Sequence, residues 1–158
     1  MPADTARPSI TRESRPPPLG AVGLGLAGAL AGAAVWTVIS ITAKYEVGYV
    51  AVLVGFLAGR GVRLGARGTV GKGLRGTAVA LAVLGLASAR YGIFAWLVAQ
   101  HESVSPLDSR ILPAFAQNLG NLFSPYDLLW VFLAMTAAWR AAVPPQAAPA
   151  PAAPPPAH

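Results

Sequence analysis

Tyr45-Glu46-Val47-Gly48-Tyr49-Val50-Ala51-Val52-Leu53-Val54-Gly55-Phe56-Leu57-Ala58-Gly59-Arg60-Gly61-Val62-Arg63 opens as an apolar run and closes in a basic one, which continues through Arg67, Lys72 and Arg75 to Gly76. A hydrophobic segment that empties into a loop rich in Arg and Lys, with no acid in it, reads as a membrane span with its basic end in the cytoplasm. The uncharged part, Val47 to Gly59, is short for a crossing. It reaches full length only if the helix continues to about Leu64, with Arg60 and Arg63 snorkelling toward headgroups. A re-entrant hairpin is the competing expectation. Gly48, Ala51, Gly55 and Gly59 fall on one helical face, where small residues let another backbone come close.

The rest of the chain follows the same pattern. Leu19 to Thr42 carries no charge and is long enough, at about 1.5 Å per residue, to cross a hydrocarbon core of about 30 Å. Ala21, Gly25, Gly28 and Gly32 share a face there, with Gly28 and Gly32 as a GxxxG pair. A third span is expected from about residue 74 to 100. Its seam is Ala78, Ala82, Gly85, Ala89 and Gly92, and Arg90 interrupts it. Pro125 and Asp127 after Ser124 make a helix start, with Ser at the N-cap, Pro at the first position and an acid at the third. The fourth span then runs over 125–143. The expected fold is therefore all-α: a polytopic bundle of four transmembrane helices near 19–42, 47–64, 74–100 and 125–143. Residues 1–18 and 144–158 read as disordered tails rich in Pro.

Composition agrees. Hydrophobic residues make up 54% of the 158-residue chain and charged residues 11%, against about 25% in soluble domains. The net charge of +6 comes without a nucleic-acid readout motif, so the expected partners are the bilayer and its anionic headgroups rather than nucleic acid. The headgroup contacts expected are Arg60, Arg63, Arg67, Lys72 and Arg75. With no cysteine, disulfide, thiolate-metal and Cys-nucleophile chemistry are excluded. Neither His101 nor His158 lies in an expected span, so no metal site and no cofactor are expected.

Two motif-like strings fail on context. Gly71-Lys72-Gly73-Leu74-Arg75-Gly76 fits G-x-G-x-x-G, but a membrane span precedes it rather than the strand of a βαβ unit. Ala66 to Gly73 approaches a P-loop, but lacks the first Gly and the Ser or Thr for magnesium.

Arg90 is the one basic residue deep in an expected span, where an unpaired charge costs at least a few kcal/mol. It reads as reaching the outer headgroups or pairing with Glu46, Glu102 or Asp127. Glu46, Arg90 and Asp127 are thus a candidate intramembrane polar site, and an ion or substrate pathway is the sharper reading of the same residues. Between the third and fourth spans, Leu107, Ile111, Phe115, Leu119 and Leu122 recur at helical spacing and suggest an amphipathic helix on the outer face, with Pro113 making its first part irregular.

Four spans place both termini on one side. Nine of the 12 Arg and Lys then fall in the cytoplasm: Arg7, Arg12, Arg15, Arg60, Arg63, Arg67, Lys72, Arg75 and Arg140. Trp36, Tyr45-Glu46-x-Gly48-Tyr49-x-Ala51 and Gly55-x-x-x-Gly59-x-Gly61-Val62-Arg63, with Ser124-Pro125-x-Asp127-Leu128-Leu129 further on, resemble a pattern in small bacterial four-helix membrane proteins. Some of those carry an N-terminal zinc ribbon, which a chain without Cys cannot have. The resemblance implies a helical bundle in the bacterial inner membrane and no particular reaction. No Ser/His/Asp set and no HExxH is visible, so an enzyme is not expected. Three small-residue seams point instead to an accessory or scaffold protein that packs against itself or a partner. A small channel or transporter is the alternative.

Overall fold

The computed structural model describes residues 17–43, 48–67, 71–122 and 125–143. They form five helices: α1 (Leu19–Ala43), α2 (Val50–Gly65), α3 (Lys72–Glu102), α4 (Ile111–Leu122) and α5 (Pro125–Ala141). The all-helical expectation holds for the described residues, which contain no strand.

The helix ends have local causes. α1 starts directly after the Pro run, with Ala21 N–H donating to the Pro18 carbonyl at 2.8 Å. α2 stops where Ala66 N–H closes onto Val62 and Arg63 and Arg67 turns left-handed, at φ 46°. α3 ends the same way at Ser103, φ 54°. Pro125 opens α5, where its missing N–H removes nothing the helix needs. The first part of the 107–122 stretch is irregular, as expected, with residues 107–110 outside the helix; Pro113 itself sits in the first turn of α4, where its missing N–H is tolerated for the same reason. The amphipathic pattern starts later than the spacing suggested: Leu107 lies before the helix and is exposed, while Ile111 and Phe115 are buried.

Close approaches set the helix directions. Gly20 lies beside Gly65 and Gly32 beside Val54, so α1 and α2 are antiparallel. Gly25 lies beside Leu81, Gly85 beside Ala29 and Gly92 beside Thr37, so α1 and α3 are parallel. Gly55 meets Ala134 and Gly59 meets Ala138, so α5 runs with α2. The four long helices alternate in direction with chain order, and α4 packs on α3 alone among the described elements. α2 is one uninterrupted helix alongside α1, so the re-entrant hairpin is not what forms.

The interior is built from small residues. α1 buries Ala21, Gly25, Ala29, Gly32 and Ala33 and exposes Leu24, Leu30, Val35 and Val38. α5 buries Ala134 and Ala138 and exposes Leu128, Leu129 and Phe132. α3 exposes Val83, Leu84 and Leu97 while burying Ala78, Ala82, Gly85, Ala89, Ala95 and Ala99. Removing Cβ atoms from facing positions lets helix backbones meet, and dispersion across the short gap holds them.

Among the described residues two helices, α1 with 25 residues and α3 with 31, are long and apolar enough to cross a membrane. α2 has 16 and α5 has 17, about 24–26 Å of helix at 1.5 Å per residue. α3 is longer at both ends than the expected 74–100.

Candidate polar site and basic end

Every seam glycine named from the sequence except Gly48 packs helix on helix within the chain. A Cβ on Gly28 would collide with the Leu57 carbonyl, one on Gly32 would stand 2.9 Å from Val54 Cα, and one on Gly25 would strike the Val62 and Leu81 side chains. Gly55 and Gly59 face the α5 main chain, and Gly85 fits between Val54 and Ala29. Ala82 and Ala89 are fully buried beside them. Gly48 precedes α2 and serves a different purpose: it makes room for the indole of Trp130, which a Cβ would strike. The spacing Gly61-x-x-x-Gly65 was legible but overshadowed by Arg60 and Arg63. These two glycines form a second small face of α2, meeting Leu24 and Gly20 of α1 main chain to main chain.

Thr37 ties α1 to α3 in the same region. Its hydroxyl donates to the Ala33 carbonyl at 2.9 Å and lies 3.3 Å from the Ala89 carbonyl. Gly92 leaves the space that this hydroxyl needs.

Arg90 and Asp127 come together. The guanidinium donates to Asp127 Oδ1 in a direct ion pair, with the two side chains only 11% and 18% exposed. The third position of α5 carries the acid to α3, so Asp127 acts across helices as well as at its own helix start. Arg90 also lies over the Trp36 ring, 5.8 Å from its centroid, a placement the ring quadrupole favours. Tyr126 and Trp130 stack edge to face at 5.9 Å. Together with Ala51, Leu86 and Val131 these side chains line a partly open cavity of about 80 Å³. Of the candidate acids for Arg90, Glu46 lies outside the described residues, and Glu102 is three turns further along the same helix. Trp36 as the floor under Arg90 was not read from the sequence; the only hint was a lone indole in a Gly/Ala helix.

Six of the described basic residues gather at the opposite end. Arg60 and Arg63 lie in the last turns of α2, Arg67 just past it, Lys72 and Arg75 in the first turn of α3, and Arg140 in the last turn of α5. Arg75 lies over the Trp139 ring at 5.2 Å and Arg60 over Phe56 at 5.7 Å. The described acids, Glu102, Asp108 and Asp127, are all toward the other end.

Beyond α3, Asp108 holds Arg110 in a fork, with Oδ1 accepting from Nε at 3.1 Å and Oδ2 from Nη2 at 2.9 Å, while Oδ1 also accepts the Arg110 N–H at 2.9 Å. These side-chain hydrogen bonds first, then the backbone one, lower the Asp108 pKa from 3.8 to about 2. Phe115 of α4 packs on Tyr91 and Phe94 of α3, at 5.5 and 5.6 Å. Among the described residues no three His, Asp or Glu side chains cluster.

The fold and site define a small helical bundle held by glycine and alanine, with one buried Arg–Asp pair. Comparison with protein-family models, curated proteins and solved structures gives no match to this chain.

Proposed function

We propose that this chain is a four-span integral membrane protein of the bacterial inner membrane, with both termini cytoplasmic and a non-enzymatic, accessory role. The observation that carries the reading is the size pattern: alanine and glycine dominate the interior, joined by a few larger residues such as Val54, Val62, Leu81 and Leu86, while leucine, valine or phenylalanine side chains face outward on all four long helices. In water that arrangement exposes the apolar area a fold should bury. In lipid it costs nothing and leaves the close packing that membrane helices use. The alternating directions of α1, α2, α3 and α5 suit four crossings. The shorter α2 and α5 are accommodated by snorkelling of Arg60 and Arg63 and by local thinning. The basic end then faces the cytoplasm and its anionic headgroups.

The accessory role rests on a surface. The seams read from the sequence are occupied inside the chain, but Gly23, Ala27, Ala31 and Ala34 form an exposed small stripe on α1, and a Cβ at Gly23 meets nothing. A second membrane helix, of another copy or another protein, fits such a stripe. Alkaline carbonate washing of membranes tests the integral character: the protein stays in the pellet, and its release into the supernatant overturns the reading.

The buried pair supports a second reading, a small channel or transporter using Arg90, Asp127 and Glu46. Against it, the basic half of the bundle is closed by main-chain contacts at Gly20, Gly28, Gly59, Gly61 and Gly65. Ion flux in liposomes that is lost in Arg90→Leu and Asp127→Asn would favour this reading over the first.

A further inference from the structure

We propose that the cavity bounded by Trp36, Arg90, Asp127 and Trp130 is a hydrated polar site. It takes water and, by the same chemistry, other small uncharged molecules that accept hydrogen bonds. Trp36 is only 4% exposed, and its Nε1 is fully buried with no hydrogen-bond partner among the described residues. The indole N–H can only donate, and a buried donor left unsatisfied costs about 1–3 kcal/mol. Ser40, one turn further along the same face of α1, has a buried hydroxyl in the same condition. Two such groups on consecutive turns, one of them lining a cavity, mark a place where a hydrogen-bonding molecule belongs. The cavity volume of about 80 Å³ corresponds to two or three waters at about 30 Å³ each.

Charge selects the ligand. Arg90 and Asp127 neutralise each other, so an added anion would meet the Asp127 carboxylate and an added cation the guanidinium. A neutral acceptor meets neither problem and satisfies the Trp36 N–H. The other half of the bundle offers no such place, because its packed cluster of Ala21, Ala58, Val62, Ala78, Leu81 and Ala138 is apolar throughout.

Water is the probe. Full-length protein in nanodiscs is exposed to millisecond X-ray pulses, which convert resident water to hydroxyl radical, and oxidation is read residue by residue by mass spectrometry. Leu107, in the loop between α3 and α4, is 90% exposed and reports the radical dose outside the bilayer. A dry Trp36 stays unoxidised at the dose that oxidises Leu107, whereas a hydrated Trp36 is oxidised at least as fast, because the radical forms in contact with the ring. Trp36 left unoxidised at that dose overturns the proposal.

Discussion

The main chain of α5 at Ala134 occupies the place where a Cβ on Gly55 would stand, and Ala138 does the same to Gly59 one turn on. α5 therefore rests with its main chain against α2 at these two glycines, with the Ala141 methyl beside Gly59. Gly55→Ala forces the helices apart and destabilises the bundle by about 1–3 kcal/mol, as overpacking of a tight core does. Gly76→Ala is the control, since a Cβ there meets nothing; its stability is unchanged or rises by up to about 1 kcal/mol. Thermal unfolding of both variants in the same detergent measures the difference.

Removing one member of the Arg90–Asp127 pair breaks this contact in a mostly buried site. Asp127→Asn and Arg90→Leu each lose about 3 kcal/mol, the range for breaking a buried pair. The double variant Arg90→Leu with Asp127→Leu recovers part of that loss, because both charges of the contact are gone. A double-mutant cycle in denaturant or heat reads the coupling; strictly additive losses would show that the contact carries no energy.

α4 depends on one ring. Phe115→Ala removes the contacts with Tyr91 and Phe94, at a local cost of about 3 kcal/mol. Since α4 packs on α3 alone, the loss stays local: hydrogen exchange accelerates over residues 111–118 while α1 and α2 keep their protection.

Asp108 sets the acid behaviour of the loop before α4. Its folded pKa of about 2 lies below the ordinary 3.8, so the contribution of the Asp108–Arg110 fork is complete above 3.8 and is lost as pH falls toward 2. Carboxyl carbon NMR in micelles shows a titration midpoint near 2, and Arg110→Gln moves it up toward 3.8.

Much of this architecture was legible because close helix packing and the sequence share one variable, residue size. Gly25, Gly28, Gly32, Gly55, Gly59 and Gly85 repeat at helical spacing, and each meets a neighbouring helix. Spacing shows that a face is small but not what lies against it. The seams therefore read as surplus and suggested a partner, whereas the chain uses them on itself. The second face of α2, Gly61 and Gly65, was hidden because Arg60 and Arg63 drew the stretch toward the headgroups. Arg90 announced itself by its depth, but choosing Asp127 from three acids required knowing that α3 and α5 run antiparallel. Leu107 was misplaced since periodicity alone continued a helix backward past its first residue.

The central claim is that the basic end and the α3–α4 loop lie on opposite sides of a membrane. The native chain has no cysteine, so single cysteines report cleanly. Gly71→Cys stands at the basic end, where a side chain meets open space, and Ser105→Cys stands in the loop after α3. Intact cells are treated with a membrane-impermeant thiol reagent, then compared with permeabilised cells. The account predicts labelling at 105 in intact cells and at 71 only after permeabilisation; labelling at 71 and not at 105 in intact cells, or equal labelling of both, would contradict it.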